Sequence, residues 1–208
     1  RWGWVRDEVA GDIPARPAVP AEITTTAAHG ATLRYELVTT PERLRHWVNR
    51  IHDAGLVAVD TETTALTPAK AELVGFCLSV GPGEACYIPV GHHAVPADLL
   101  NSDAPAFVQI PLAAVVAALQ PVFADPAILK VAHNVKYDAQ VLRQVGLDIT
   151  PFDDTMIMSY VLFGAQHGHG LDELTLKYLG HQNIAYTDVA GKGVKQKSFP
   201  ELHPDDVK

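Results

Sequence analysis

The sequence has little cysteine and no long apolar run. Its 208 residues include two cysteines, Cys77 and Cys86, on segments that we expect to be neighbouring strands. A disulfide between them is conceivable, but small buried thiols are favoured because no other secretory feature accompanies them. No apolar stretch approaches the roughly 20 residues of a membrane span, and residues 1–12 lack the apolar core of a signal peptide. These absences favour a cytoplasmic protein without a membrane segment.

Positive charge is also scarce. Lys and Arg together number 16 against 24 Asp and Glu, which gives a formal net charge of −8. This balance argues against a protein that holds nucleic acid through a bulk positive field. It leaves open a protein that places a few basic groups and metal ions where phosphates arrive. Hydrophobic residues make up 48% and charged residues 19% of the chain, as is typical of a globular protein with one sizeable core.

The chain divides into an irregular arm and a regular domain. Residues 1–30 are dominated by Pro, Ala and Thr without a period, and this predicts a linker or loosely attached arm. Residues 31–208 form the predicted domain, with elements in the order β-α-β-β-β-α-β-α-α. Its first helix is predicted in TTPERLRHWVNRIHDAG, with Thr40 as the N-cap, Pro41 as the first helical residue and Gly55 at the end. A later helix is predicted in PFDDTMIMSYVLF, with Asp153 or Asp154 as its cap. The segments ELVGFCLSV and ACYIPV, joined by GPGE, predict an antiparallel hairpin. The expected fold is therefore α/β, with a central mixed five-stranded sheet flanked by helices.

Two acids end the second predicted strand, in VAVDTETTAL at residues 57–66. Side chains two positions apart in a strand share a face, so Asp60 and Glu62 point the same way as Ala58. Adjacent carboxylates repel each other unless a cation joins them, and Mg²⁺ or Mn²⁺ suits their hard oxygens. The alternative is a solvated strand end with two surface acids.

A third acid lies in KVAHNVKYDAQVL, where another predicted strand runs into a helix. Asp138 falls at the edge of the buried helix face, one turn after Asn134. An acid in this position either pairs with a positive group or lines a cleft. The first helical turn after a strand end is where α/β folds build sites, so this position favours a site.

These two segments resemble the first and second exonuclease motifs of the proofreading domain of family A DNA polymerases, the bacterial DNA polymerase I type. That domain belongs to the ribonuclease H-like superfamily of 3′–5′ exonucleases with four acidic residues. The resemblance runs in order over residues 33–208 and continues through AELVGFCLSVGPGEACYIPVGH, DDTMIMSYVL, HGHGLDEL, KYLGH and VAGKGVKQKSF.

The resemblance implies hydrolysis of phosphodiester bonds at single-stranded DNA 3′ ends with two divalent ions, Mg²⁺ or Mn²⁺. It implies that Asp60 bridges both ions, that Glu62 holds the first ion near the 3′ end, and that Asp138 serves the second. One ion would lower the pKa of the attacking water while the other stabilises the leaving oxygen.

The resemblance also implies contacts to the substrate. Four positions match family residues near the terminal nucleotides, although ordinary packing or capping is the alternative for each: Thr63, Leu66, Asn134 and Tyr137. Leu66 would press against the end base, a contact that tolerates any sequence. Lys192, Lys195 and Lys197 would meet backbone phosphates, or else belong to a solvated loop.

One departure concerns the family's third motif, Tyr-x-x-x-Asp, which supplies a tyrosine and the fourth acid. The corresponding helix would begin near Pro204, and its tyrosine would fall past Lys208. The segment that starts at Tyr186 has Ala190 where the acid is required. Residue 1 is Arg rather than Met, so we expect a piece of a longer chain, cut before its last catalytic helix and with a weakened metal site.

The expected partners are a single-stranded DNA 3′ end and the polymerase domain of the same longer chain, and the expected state is a monomer. Two alternatives stay open: a ribonuclease D-like exonuclease that trims RNA, and a non-catalytic domain that supports a polymerase or binds DNA. A zinc site is disfavoured because six histidines match no common zinc spacing and no cysteine joins them: His92, His93, His133, His167, His169 and His181.

Overall fold

A computed structural model describes residues 34–93, 107–193 and 196–207. The predicted arm at residues 1–30 lies outside these ranges, as does Lys195. The strands of the described part are β1 Arg34–Leu37, β2 Leu56–Thr63, β3 Leu73–Gly81, β4 Glu84–Pro89, β5 Leu129–Ala132 and β6 Phe152–Asp154. Its α-helices are α1 Pro41–Ala54, α2 Leu112–Ala124, α3 Val135–Gln144, α4 Thr155–Phe163, α5 Leu171–Leu179 and α6 Tyr186–Ala190.

The strands form one mixed sheet in the order β1-β4-β3-β2-β5-β6. Strands β2, β3 and β4 pair antiparallel, which confirms the predicted hairpin. Strand β5 pairs in parallel with β2, and β6 pairs in parallel with β5. At the other edge, β1 pairs in parallel with β4. The predicted α/β class and mixed sheet are confirmed, although the described sheet has six strands rather than five.

The sixth strand comes directly before the helix predicted in PFDDTMIMSYVLF, whose expected cap at Asp153 or Asp154 is confirmed at Asp154. Phe152–Asp154 pairs with β5, and the helix begins only at Thr155. The Asp154 carboxylate sets this boundary because it accepts hydrogen bonds from the backbone N–H groups of Met156 and Ile157. It also accepts from Asn134 and Val135 at 3.1 and 2.9 Å. One buried carboxylate therefore fixes the beginnings of both α3 and α4.

Helix α1 follows its sequence signals closely. The Thr40 hydroxyl accepts a hydrogen bond from the N–H of Arg43, Pro41 is the first helical residue, and Gly55 ends the helix with a left-handed φ of 64°. Its apolar stripe, with Trp47 and Ile51, packs in the main core. The predicted boundaries of this helix are confirmed.

The core lies on one face of the sheet. Val57 and Val59 of β2 are buried there, while the alternate residues Ala58 and Asp60 are not. The predicted alternation of β2 is therefore confirmed, and it directs the acids away from the core. Within the described ranges, no helix combines the length and apolar character needed to cross a membrane.

The two cysteines are free thiols, as predicted. Cys77 lies opposite Tyr87 and Cys86 opposite Leu78 in the pairing of β3 with β4. Successive residues of a strand point to opposite faces, so the two thiols face away from each other. Cys86 belongs to the core cluster, whereas Cys77 shares the face of Asp60.

Candidate active site

A cleft of about 700 Å³ opens where β2 ends and α3 begins. It brings together the three predicted acids and the four predicted contacts of the terminal nucleotides: Asp60, Glu62, Asp138, Thr63, Leu66, Asn134 and Tyr137. Lys192 is exposed and lies outside the lining of this cleft. The cleft therefore collects predicted site residues that are up to 78 positions apart, counted from Asp60 to Asp138.

The positions of Asp60 and Glu62 follow from the pairing of β2 with β3. Asp60 lies opposite Cys77, and Glu62 lies opposite Gly75. The ring of Tyr87 occupies the space above Gly75, since a Cβ there would lie 2.1 Å from the Tyr87 hydroxyl oxygen. One ligand atom each of Asp60, Glu62 and Cys77 lies within 4.8 Å of the other two. This is a cluster of two carboxylates and one thiol on the open face of the sheet.

Asp138 enters the cleft from the first turn of α3. Its side chain is nearly fully buried, with 2% of its surface exposed. One carboxylate oxygen accepts hydrogen bonds from the backbone N–H of Thr61 at 3.1 Å and from its hydroxyl at 2.6 Å. Asp138 is thus tied to the residue between Asp60 and Glu62, although it lies outside their 4.8 Å cluster with Cys77.

Desolvation in the cleft raises the pKa values of all three acids, and the charges of neighbouring carboxylates add to this effect at Glu62 and Asp138. Burial raises the pKa of Asp60. Burial, followed by the charges of Asp60 and Asp138, raises the pKa of Glu62 to about 7. Burial also raises the pKa of Asp138 to about 6, against the hydrogen bond from Thr61. A bound cation would stabilise the charged carboxylates against both desolvation and mutual repulsion. The donor set therefore fits a divalent ion that prefers carboxylate oxygen.

The wall beside the acids is held by hydroxyl contacts. The hydroxyl groups of Thr63 and Tyr137 lie 2.5 Å apart, and Tyr137 donates to the carbonyl oxygen of Ala65 at 2.5 Å. These bonds join β2 to α3 and fix the segment that leads to Leu66. The Leu66 side chain is 96% exposed and projects at the edge of the cleft. Asn134 holds a left-handed φ of 69° at the start of α3.

Sequence reasoning missed several residues of this cleft. Tyr186 and Phe199 line it, and their rings stack with centroids 6.4 Å apart. Tyr186 does not fit the spacing of the third motif, and its hydroxyl donates to the carbonyl of Lys197. Only the folding of the carboxy-terminal segment across the sheet brings these rings to the acids. His133 also lines the cleft, and its place directly before Asn134 is the sequence signal for it.

A buried histidine holds that carboxy-terminal segment in place. His92 Nδ1–H donates to the carbonyl of Leu202 at 2.8 Å, so its Nε2 accepts from the Tyr87 hydroxyl at 2.6 Å. Burial lowers the pKa of His92, which favours this neutral form. The contact ties the segment that carries Phe199 to β4.

A family model described as 3′–5′ exonuclease matches residues 35–202. The chain belongs to this family of 3′–5′ exonuclease domains. It is similar to DNA polymerase I of Rhizobium leguminosarum, with 38% identity over 89% of this chain and 19% of the relative. It is also similar to DNA polymerase I of Pseudomonas aeruginosa, with 38% identity over 83% of this chain and 18% of the relative. The exonuclease domain thus spans about a fifth of the length of these relatives.

The fold of the exonuclease domain occurs in other nucleases. Escherichia coli RNase D, an exoribonuclease involved in structured RNA processing, superposes with a TM-score of 0.55 at 18% identity. The alignment covers 77% of this chain and 36% of RNase D. The likeness concerns the fold alone, and it confirms the expected ribonuclease H-like architecture. The resemblance to the exonuclease domain of DNA polymerase I is confirmed as well.

Proposed function

We propose that this domain removes nucleotides from the 3′ end of single-stranded DNA, as the proofreading module of a DNA polymerase I-like protein. The observation that carries the proposal is the convergence of Asp60, Glu62 and Asp138 in one cleft beside the exposed Leu66. Three neighbouring carboxylates repel one another, so cations would stabilise them. Divalent cations in a cleft that can hold a nucleic-acid chain end are suited to the hydrolysis of phosphodiester bonds.

Each acid has a distinct role in this proposal. Asp60 would share both divalent ions, Glu62 would hold the first, and Asp138 the second, with Mg²⁺ or Mn²⁺ as the ion. When bound, such ions supply an activated water and stabilise the leaving oxygen. Thr61 contributes by holding one oxygen of Asp138 at 2.6 Å, which leaves the other oxygen of that carboxylate for a ligand. This bond fixes the separation between β2 and α3 across the site.

The exposed apolar groups of the cleft suit unpaired bases. Leu66 would press against the terminal base, with the Tyr186 and Phe199 rings as further apolar walls. Such contacts recognise any base because every base has an apolar face. The hydroxyl pair of Thr63 and Tyr137 would hold Leu66 in position.

The surrounding chain completes the proposal. Lys192, which is exposed, and Lys195, which lies outside the described residues, would meet backbone phosphates. The domain would act as a monomeric unit within a longer cytoplasmic polymerase chain. The similarity to full-length DNA polymerase I relatives supports this arrangement.

An RNA-trimming activity is the second candidate, and the fold shared with RNase D favours it. The two candidates separate on substrate choice. A non-catalytic domain is the third candidate, and the presence of all three acids in one cleft counts against it.

The test incubates the 208-residue chain, and the longer polymerase chain proposed above, with 5′-labelled single-stranded DNA and with RNA of the same sequence. With Mn²⁺ or Mg²⁺ we expect DNA to shorten by single nucleotides, and chelation to stop the reaction. Asp60→Asn should abolish shortening while the unfolding transition stays cooperative. Faster shortening of RNA would favour the second candidate. No shortening by either protein would refute an enzymatic role.

A further inference from the structure

We propose that His92 is a positioning residue for the cleft, because it holds residues 196–207 where they support the aromatic wall. That wall consists of Tyr186 and Phe199, which both line the cleft. His92 lies outside the lining, so it acts through the backbone of the segment that it holds. The hydrogen-bonded tie follows from the described residues alone. Its consequence for catalysis rests on the proposed function, because the wall is the surface that would meet unpaired bases.

The imidazole of His92 joins two parts of the chain that lie 110 positions apart. Its Nδ1–H donates to the carbonyl oxygen of Leu202 at 2.8 Å, and its Nε2 accepts from the Tyr87 hydroxyl at 2.6 Å. The side chain of Gln109 accepts from the His92 backbone N–H and donates to the His92 carbonyl oxygen, at 2.8 Å each. His92 is 5% exposed, so a buried ring with both nitrogens paired is held in one orientation.

A second contact holds the same segment beside His92. The backbone N–H of His93 donates to the carbonyl oxygen of Pro200 at 3.0 Å. The rings of His92 and Phe199 also approach each other, with centroids 5.8 Å apart. Pro200 and Leu202 are both buried, so these contacts are shielded from water. The tie therefore acts directly after Phe199, the residue that reaches the cleft.

The tie is transmitted to the wall through a short 3₁₀-helix, Phe199–Glu201. The N–H of Leu202 donates to the carbonyl oxygen of Phe199 at 3.1 Å, so a displacement of Leu202 carries Phe199 with it. The Phe199 ring stacks on Tyr186, whose hydroxyl donates to the carbonyl oxygen of Lys197 at 2.8 Å. Both rings of the wall therefore depend on where this segment lies.

Packing alone does not fix the wall. A second cavity, of about 320 Å³, shares Glu62, Tyr186 and Phe199 with the cleft, so the two rings have open space on more than one side. Tyr186 is also 46% exposed. A ring with open space beside it has fewer contacts to oppose its movement. The hydrogen bonds of the segment, foremost the one from His92, therefore keep the rings beside Glu62.

Two amide side chains separate the two hydrogen bonds of His92. Asparagine places an N–H donor near the position of Nδ1, so it can keep the bond to Leu202 and loses the bond to Tyr87. Glutamine reaches the position of Nε2, so it can keep the bond to Tyr87 and loses the bond to Leu202. Each variant loses one hydrogen bond of a buried ring. If His92 positions the wall through Leu202, His92→Asn should preserve the cleft and His92→Gln should not.

The first experiment measures native-state hydrogen exchange of the 208-residue chain in EDTA. The reporters are the backbone amides of His93, Glu201 and Leu202, which are bonded within or to the segment. They should exchange at least about tenfold faster in His92→Gln and His92→Leu than in His92→Asn and the unsubstituted chain. The matched control is His93→Asn, whose exposed side chain takes no part in the tie, and it should exchange like the unsubstituted chain. Equal exchange in the Asn and Gln variants of His92 would overturn the proposal.

The second experiment measures kcat and KM for the Mn²⁺-dependent shortening of single-stranded DNA. His92→Gln and His92→Leu should raise KM by at least about fivefold, the lower end of the effect of a lost stacking contact. Their kcat should stay within about twofold, because Asp60 and Asp138 lie on β2 and α3, outside the segment. His92→Asn and His93→Asn should keep the KM of the unsubstituted chain. An equal loss of kcat in all three His92 variants would show a general loss of stability and overturn the positioning role.

Together the two experiments separate this inference from the proposed function. Faster exchange in His92→Gln but not in His92→Asn, in a chain that neither binds nor shortens DNA, would support the tie and refute the exonuclease. Shortening of DNA with kinetic constants that no His92 variant changes would refute the positioning role and leave the exonuclease assignment intact.

Discussion

Asp138→Asn should make the metal-free protein more stable at neutral and alkaline pH, although it should abolish the proposed activity. Asp138 is 2% exposed, and its burial together with the charge of Asp60 raises its pKa from 3.8 to about 6. The charged carboxylate therefore costs stability in the folded state. Asparagine removes the charge, and its oxygen can still accept the two hydrogen bonds from Thr61.

The size and sign of this effect follow from proton linkage. A folded-state pKa of about 6 against an ordinary 3.8 corresponds to roughly 3 kcal/mol at about 1.36 kcal/mol per pH unit. Because the folded pKa is raised, the contribution to stability is fully present below about pH 4 and is lost as the pH rises through 6. Allowing for relaxation of the site, we expect Asp138→Asn to add about 1–3 kcal/mol at pH 8, or roughly 2–12 °C in Tm.

The assay is urea unfolding of both proteins in EDTA at pH 4 and pH 8. The stability difference between Asp138→Asn and the unsubstituted protein should be near zero at pH 4 and positive at pH 8. Adding Mn²⁺ at pH 8 should reverse the difference, since the cation binds only the intact carboxylate cluster and stabilises it by mass action. A variant that is less stable at pH 8 in EDTA, or whose difference does not change with pH, would refute the reasoning.

Three further predictions test other features of the fold and cleft. Leu66→Ala should change the free energy of unfolding in urea by no more than about 0.5 kcal/mol, because the side chain is 96% exposed. The same change should weaken the binding of single-stranded DNA, measured by fluorescence anisotropy, by about 1–3 kcal/mol. Lys130→Met should cost about 2–4 kcal/mol in urea unfolding, because the fully buried ammonium donates to three backbone carbonyl oxygens. Gly75→Ala should cost about 1–3 kcal/mol by displacing Tyr87, whereas the control Gly81→Ala, with open space around it, should stay within about 0.5 kcal/mol.

Local signals in the sequence predicted the local structure well. Helix α1 begins and ends where Thr40, Pro41 and Gly55 predict, since capping depends on neighbours in the chain. The alternation along β2 likewise separates the core residues from the acids. The prediction missed β6 because Phe152–Asp154 has no strand pattern of its own, and its extended form depends on pairing with β5.

Family resemblance and strand alternation predicted which residues carry charge into the cleft, but not what surrounds them. Tyr186 and Phe199 reach the cleft only because the carboxy-terminal segment crosses the sheet, held by the contact of His92 with Leu202. That contact joins residues 110 positions apart and leaves no periodic signature. Sequence reasoning therefore located the acids and missed the aromatic walls beside them.

The neighbours of Cys77 could likewise not be predicted from the sequence. In the sequence it reads as a small buried thiol in an apolar strand, and nothing local connects it with an acid 17 positions earlier. The pairing of β2 with β3 places it directly opposite Asp60, where a shift of one residue would turn it into the core instead. Its neighbour in space is thus decided by register, which the whole sheet determines. The presence of a thiol beside the two carboxylates on this face of the sheet therefore depends on that register.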